Sequence, residues 1–95
     1  MNIYKITYHQ DGNEAIREEL TINVFRQEPI TKMMIDRKGS NVQTSARLFI
    51  KPDFTFTYND RVIYKIIYQG IEKDLISIQD NYDLSNVLDH YEVYI

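Results

Sequence analysis

Two histidines and several carboxylates are the residues of this chain that could hold a metal ion or transfer protons. His9 and His90 lie near opposite ends of the sequence and show no metal-binding spacing such as HxxxH. The chain contains no cysteine, so thiolate nucleophiles, thiolate metal sites and disulfides are excluded. We therefore expect no metal or other cofactor, and we expect His90 to be an ordinary strand residue.

The carboxylates form two close pairs, Asp80 with Asp83 and Asp89 with Glu92. Acid–base catalysis by such a pair needs a pocket and two pKa values that are held apart. The spacing indicates neither, and turn capping or solubility explains these acids equally well. The three glycines are scattered and form no phosphate-binding loop. The sequence therefore favours a protein that is not an enzyme.

Basic residues are not clustered enough to indicate nucleic-acid binding. The net charge is −3, with seven basic and six acidic residues in positions 1–47 against four and eight in positions 48–95. With 95 residues the chain is long enough for one domain. It shows no signal peptide and no apolar run near the roughly 20 residues of a membrane helix. We expect a soluble single domain that folds in the cytoplasm.

Alternating apolar residues predict a chain of short strands. The turn sequences Asp11-Gly12, Asn59-Asp60 and Gln69-Gly70 separate several of them. Residues 14–20 also resemble a helix weakly, and residues 80–88 read as irregular. The segments that could form these strands are residues 3–9, 18–25, 30–35, 46–50, 54–58, 62–68, 71–78 and 90–95. This pattern predicts an all-β fold, a small single-domain β-barrel or sandwich of six to seven short antiparallel strands with one long polar loop.

Two further segments allow a functional and a structural interpretation. Residues 36–45 are the most polar stretch and predict a long exposed loop, which is either functional or merely flexible. Met33-Met34 could form an adaptable contact surface, although strand alternation would turn one of the two toward the core. Phe54, Phe56 and Tyr58 could stack on bases, but the acidic surroundings favour a stripe of core residues instead.

Several segments of the second half are similar to one known protein family. They are Asn59-Asp60-Arg61-Val62-Ile63-Tyr64, Tyr68-Gln69-Gly70, Ile76-Ser-Ile-Gln-Asp-Asn-Tyr-Asp and the final His90-Tyr91-Glu92-Val93. Over about residues 46–95 the chain resembles the head–tail stopper proteins of long-tailed bacteriophages. These are also called head-completion or head-closure proteins, and some are minor capsid proteins. The first half of the chain departs from the family's pattern.

The resemblance implies a small β-barrel whose copies form a ring below the portal and adaptor proteins of the virion. A loop projecting from each copy would close the channel over double-stranded DNA, which passes without sequence-specific binding. The candidates for this loop are Asp36, Arg37, Lys38, Gly39, Ser40, Asn41 and Gln43. The candidates for the subunit interface are Met33, Met34, Asp80, Tyr82, Asp83 and Asp89. Assembly would take place in the cytoplasm of the bacterial host.

Ring contacts join different patches of neighbouring copies, and the two unequally charged halves of the chain could supply such patches. A second hypothesis is a small binding module that captures a peptide by strand addition to a sheet edge. A nucleic-acid-binding barrel is disfavoured by the charge. Ring formation, peptide capture by a monomer and salt-dependent binding of single-stranded DNA distinguish the three.

Overall fold

The protein is a two-sheet β-sandwich with an additional hairpin. The computed structural model describes residues 1–57 and 59–95, and all regular secondary structure in these residues is β. There are ten strands in the described residues: β1 Asn2–Tyr8, β2 Glu14–Thr21, β3 Val24–Pro29, β4 Met33–Ile35, β5 Asn41–Gln43, β6 Ala46–Ile50, β7 Val62–Tyr68, β8 Ile71–Asp74, β9 Ser77–Tyr82 and β10 Leu88–Tyr94. The predicted all-β class is confirmed.

Two antiparallel four-stranded sheets enclose the hydrophobic core. Their strand orders are β2-β1-β7-β8 and β3-β6-β10-β9, and β4 with β5 forms a separate two-stranded sheet. Period-two alternation in β6 and β10 turns every second side chain inward, as predicted for residues 46–50 and 90–95. The fully buried core side chains include Ile3, Leu48, Ile50, Ile66 and Val93. The fold is therefore a sandwich rather than a closed barrel.

Two bends carry the chain from one sheet to the other, and they explain most of the additional strands. Ile22 and Asn23 lie between β2 and β3, and Leu75 and Ile76 lie between β8 and β9. The predicted single strands at 18–25 and 71–78 are therefore wrong, since each is two strands in different sheets. Apolar alternation continues through the bends, because Ile22 and Leu75 themselves fill the core.

The helical reading of residues 14–20 is also wrong, because this segment pairs with β1 along its whole length. Similarly, residues 80–82 are not irregular but belong to β9, which pairs with β10. Both segments carry exposed polar side chains, so their sequences lack the clear two-residue period of a half-buried strand. Both segments form strands because they pair with the more apolar strands β1 and β10.

The aromatic segment at residues 54–57 is not a strand, although its core role is confirmed for Phe56. Phe56 is 3% exposed, and its ring lies edge-on to Tyr64 and Tyr91 with centroid distances of 5.0 Å. The backbone N–H of Thr57 donates to Tyr64 Oη at 2.7 Å rather than to a neighbouring strand. Tyr58, the third predicted member of the stripe, lies outside the described residues.

Three β-hairpins close with the same five-residue turn. In each, the first residue donates its N–H to the fifth residue's carbonyl, and the fourth donates to the first. The fourth residue has positive φ, which glycine and asparagine adopt readily. The turns cover residues 9–13, 36–40 and 83–87, with Gly12, Gly39 and Asn86 at the fourth position. The predicted Asp11-Gly12 turn is thereby confirmed.

Candidate functional site

The polar segment predicted as a ten-residue loop is instead most of a hairpin, which we call the flap (residues 30–45). Met33, Met34 and Ile35 pair with Gln43, Val42 and Asn41. Only residues 36–40 remain as a turn. The carboxylate of Asp36 holds this turn by accepting the N–H groups of Lys38 and Ser40, both at 2.9 Å. The polar side chains therefore reflect turn capping and exposed strands, and the long-loop prediction is wrong.

The tip of the flap rests on the protein's own body. Arg37 donates from Nη1 to the carbonyl oxygen of Val62 at 2.9 Å and from Nη2 to that of Asn59 at 3.0 Å. The fork of the guanidinium spans the carbonyl of Val62, the first residue of β7, and that of Asn59 just before the strand, which a single point charge could not do. The segment expected to project from the subunit is thus folded back, with one side chain making both of these bonds.

The root of the flap is fixed by a buried threonine. Thr44 is 3% exposed; its hydroxyl donates to the carbonyl of Ile30 at 2.7 Å and accepts the N–H of Lys32 at 3.0 Å. Its own N–H donates to the carbonyl of Lys32 at 2.9 Å. Lys73 on β8 also donates to Ser45 Oγ at 2.9 Å, tying the root to the other sheet. Several hydrogen bonds therefore hold the root of the flap, whereas the side chain of Arg37 holds its tip.

A cavity of about 450 Å³ lies between the flap and the end of the sandwich, partly open to solvent. Its size falls within the range of pockets that bury small ligands or side chains. The apolar lining comes from the flap, the second bend, β9 and the residue after β10, together with β1 and β7: Val42, Leu75, Ile76, Ile78, Ile95, Tyr8, Ile63 and Tyr64. Charged residues surround it: Asp36, Arg37, Lys38, Asp60, Lys73 and Asp74. The cavity thus combines an apolar interior with a mixed-charge mouth.

The β9–β10 turn presents an apolar projection at the other end of the sandwich. Leu84 is fully exposed, while Tyr82 and Val87 are 59% and 60% exposed. The turn is rigid, because Asp83 Oδ1 accepts the N–H of Ser85 at 2.8 Å and that of Val87 at 3.1 Å. We call Tyr82, Leu84 and Val87 the knob.

The predicted interface residues fall into two groups at opposite ends of the molecule. Met33 is 63% exposed, whereas Met34 is half-buried, so strand alternation separates the pair as expected. Asp80, Tyr82, Asp83 and Asp89 all belong to the β9–β10 hairpin. Asp83 caps the turn, and Asp89 Oδ2 lies 2.7 Å from His90 Nδ1. Their role in assembly remains a prediction.

Asp80 lies near a buried tyrosine of the core. Tyr91 is 4% exposed, and burial raises the pKa of its hydroxyl above the ordinary value, with the negative charge of Asp80 adding to the effect. The phenol therefore stays neutral where an exposed tyrosine begins to ionise. Tyr91 is a residue of the hydrophobic core.

The two histidines are far apart in the fold. His9 begins the first hairpin turn, and His90 lies on β10 beside the rings of Phe49 and Phe25, at centroid distances of 5.7 and 6.0 Å. Residues 1–57 and 59–95 contain no group of three or more His, Asp or Glu residues that could hold a metal ion. The same residues contain no helix that is long and apolar enough to span a membrane.

Comparison with known proteins gives no match to a family model, a curated protein or a solved structure. The flap, the cavity and the knob are therefore the features that bear on function, and the resemblance of residues 46–95 to phage stopper proteins stays a prediction.

The sequence pattern named Asp36, Arg37, Tyr82 and Asp83 as candidates, but it did not single out Thr44 and Lys73 at the root of the flap or Leu84 and Val87 in the knob. Asp36 and Asp83 stand three residues before Gly39 and Asn86, and this spacing is the one available sign of the two capped turns. Once the turn at 83–87 is recognised, Leu84 must lie at its exposed tip. The pairing of Arg37 with carbonyls about 25 residues away has no local sequence signal.

Proposed function

We propose that the protein is a structural subunit of the head–tail connector of a long-tailed bacteriophage. In this role it is a stopper, which assembles in a ring below the portal and adaptor proteins and closes the DNA channel. The observation that carries the proposal is the flap, a separate hairpin with a fixed root and a tip held by Arg37. The similarity of residues 46–95 to stopper proteins supports the same role.

The hydrogen bonds of the flap would allow its tip to move while its root stays fixed, as closing and opening a channel requires. Releasing the two hydrogen bonds of Arg37 would free the tip, while Thr44 and Lys73 keep the root in place. Movement of a hairpin between two positions is an established way to switch a protein between states. Copies arranged in a ring would bring several tips together and obstruct the pore.

The charge of the tip suits a gate that touches DNA without gripping it. Arg37 and Lys38 stand beside Asp36, and the whole chain is acidic with a net charge of −3. Strong binding to double-stranded DNA needs clusters of Lys and Arg on phosphates. The flap would therefore block the channel by its volume and release the DNA when it moves. No cofactor takes part in this mechanism.

Co-assembly with neighbouring virion proteins tests the proposal. The protein is co-expressed with the portal and adaptor proteins encoded beside it in the same genome, and the purified complex is imaged by electron microscopy. We expect one ring of this protein below the adaptor. Portal without adaptor is the control and should recruit less protein. If no portal gene adjoins this gene, or no ring joins the complex, the proposal is wrong.

Removal of Arg37 tests the attachment of the flap tip. In Arg37→Ala, hydrogen–deuterium exchange of the amides in residues 35–43 should accelerate about tenfold, because two charge-assisted hydrogen bonds are lost. Arg37→Lys should behave similarly, since an ammonium group lacks the fork of a guanidinium. The matched control Lys38→Ala, in the same turn, should exchange as the wild type does. Equal exchange in Arg37→Ala and the wild type would show that other contacts hold the tip.

Strand addition remains the alternative function. The sandwich has four edge strands, β2, β8, β3 and β9, which could each pair with an extended peptide. A peptide-binding module would remain monomeric alongside the portal and adaptor proteins. It would be identified instead by a bound peptide that protects the amides of one edge strand from exchange.

A further inference from the structure

We infer that the knob of one copy inserts into the cavity beneath the flap of the next copy, so that the subunits join head to tail. This inference rests on the proposed function, because it specifies how the ring would be held together. The knob is made of Tyr82, Leu84 and Val87, and the cavity of about 450 Å³ is described above.

The knob and the cavity lie at opposite ends of one rigid hairpin. β9 runs from Ser77, beside the cavity-lining residue Ile76, to Tyr82 in the knob. β10 returns from Leu88 beside the knob to Tyr94, next to Ile95 in the cavity. A subunit therefore cannot place its knob in its own cavity. Contact between unlike patches of two copies closes into a ring or continues as a filament.

The apolar character of the two surfaces is matched. Leu84 is fully exposed on a capped turn, and burying it in a second copy removes its side chain from water. The cavity is lined by six aliphatic side chains, Val42, Ile63, Leu75, Ile76, Ile78 and Ile95. Its volume of about 450 Å³ exceeds that of one leucine side chain.

The charges around the two surfaces differ. The β9–β10 hairpin carries Asp80, Asp83, Asp89 and Glu92 with no Lys or Arg. The cavity mouth carries three bases, Arg37, Lys38 and Lys73, and three acids, Asp36, Asp60 and Asp74, so its formal charge is balanced. In the head-to-tail contact the acids of the hairpin would meet the three bases of the mouth. Salt should therefore weaken the contact, and Asp89→Lys should weaken it further.

Substitution of the exposed leucine tests the contact directly. Self-association is measured by sedimentation velocity over a range of protein concentrations, with and without the portal–adaptor complex. Leu84→Asp should weaken association by about 10- to 100-fold, because an apolar anchor becomes a charge. Ile71→Asp is the matched control: Ile71 is also exposed, at 60%, at the start of β8 outside the knob and cavity. Association of Leu84→Asp at the strength of this control would overturn the inference.

Mixing two defective variants tests the head-to-tail arrangement. Leu84→Asp has a damaged knob and an intact cavity, whereas Ile76→Arg has a damaged cavity and an intact knob. Each alone should remain monomeric, but the mixture should form heterodimers that grow no further, because one intact contact remains between them. Circular dichroism confirms that both variants fold; if Ile76→Arg does not, Ile78→Arg replaces it. A mixture that stays monomeric, or that forms long oligomers, would contradict the inference.

The two proposals fail in different ways. If wild-type protein forms a ring on the portal–adaptor complex and Leu84→Asp forms the same ring, the knob contact is wrong and the stopper function stands. If wild-type protein self-associates through Leu84 but does not join the portal–adaptor complex, the knob contact stands and the stopper function is wrong.

Discussion

Phe56→Ala should lower the free energy of unfolding by about 3–5 kcal/mol, the usual loss when a buried aromatic ring is removed. The ring is 3% exposed and lies between Tyr64 of one sheet and Tyr91 of the other, each at a centroid distance of 5.0 Å. Phe54 packs edge-on to it at 4.9 Å. Since this segment has no strand pairing at residues 54–57, side-chain packing is its main attachment to the body.

Urea denaturation followed by tyrosine fluorescence measures this loss. The matched control is Phe25→Ala, because Phe25 is 51% exposed on the outer face of the second sheet. Its removal should lower the unfolding free energy by about 1 kcal/mol, in proportion to the smaller buried area. Equal losses in the two variants would show that Phe56 does not link the sheets.

Thr44→Val should lower the free energy of unfolding by about 2–3 kcal/mol, although valine has nearly the same shape. The substitution leaves the carbonyl of Ile30 and the N–H of Lys32 without the partner hydroxyl. Both groups lie at the half-buried root of the flap, where water replaces the lost bonds incompletely. Thr44→Val should therefore loosen the whole flap rather than its tip alone.

Thermal unfolding and hydrogen exchange together check the role of Thr44. Thr44→Ser keeps the hydroxyl and should retain most of the stability, so it separates the hydrogen bonds from the loss of a methyl group. In Thr44→Val the amides of residues 30–45 should exchange faster, whereas β7 amides should keep their protection. A valine variant as stable as the serine variant would mean that these bonds do not hold the root.

Much of the sandwich could be predicted from local sequence because its central strands have clear alternation. β6, β7 and β10 are buried on at least one face, and every second residue is apolar. The edge strands could not be predicted equally well. β2 is almost entirely exposed and β8 is four residues long, so pairing rather than side-chain pattern defines them.

The candidate site was less predictable, because it depends on contacts between distant parts of the chain. The polarity of residues 36–45 indicated exposure correctly for residues 37–41, but it did not reveal that Thr44 is buried or that β4 pairs with β5. The cavity is formed where the flap, the second bend and the end of β10 meet, and no local motif marks such a meeting point. The exposure of Leu84 could not be predicted from its residue type, because it depends on the turn at residues 83–87.

Pro29 and Ala46 are cross-strand partners, so the flap is an insertion at one point of an otherwise continuous β3–β6 pair. Its length and tip chemistry can therefore change without altering the register of either sheet. Proteins with this scaffold could vary the flap while conserving the sandwich. In evolutionary terms, the flap and the sandwich are separable modules, because the chain enters and leaves the flap at one cross-strand pair.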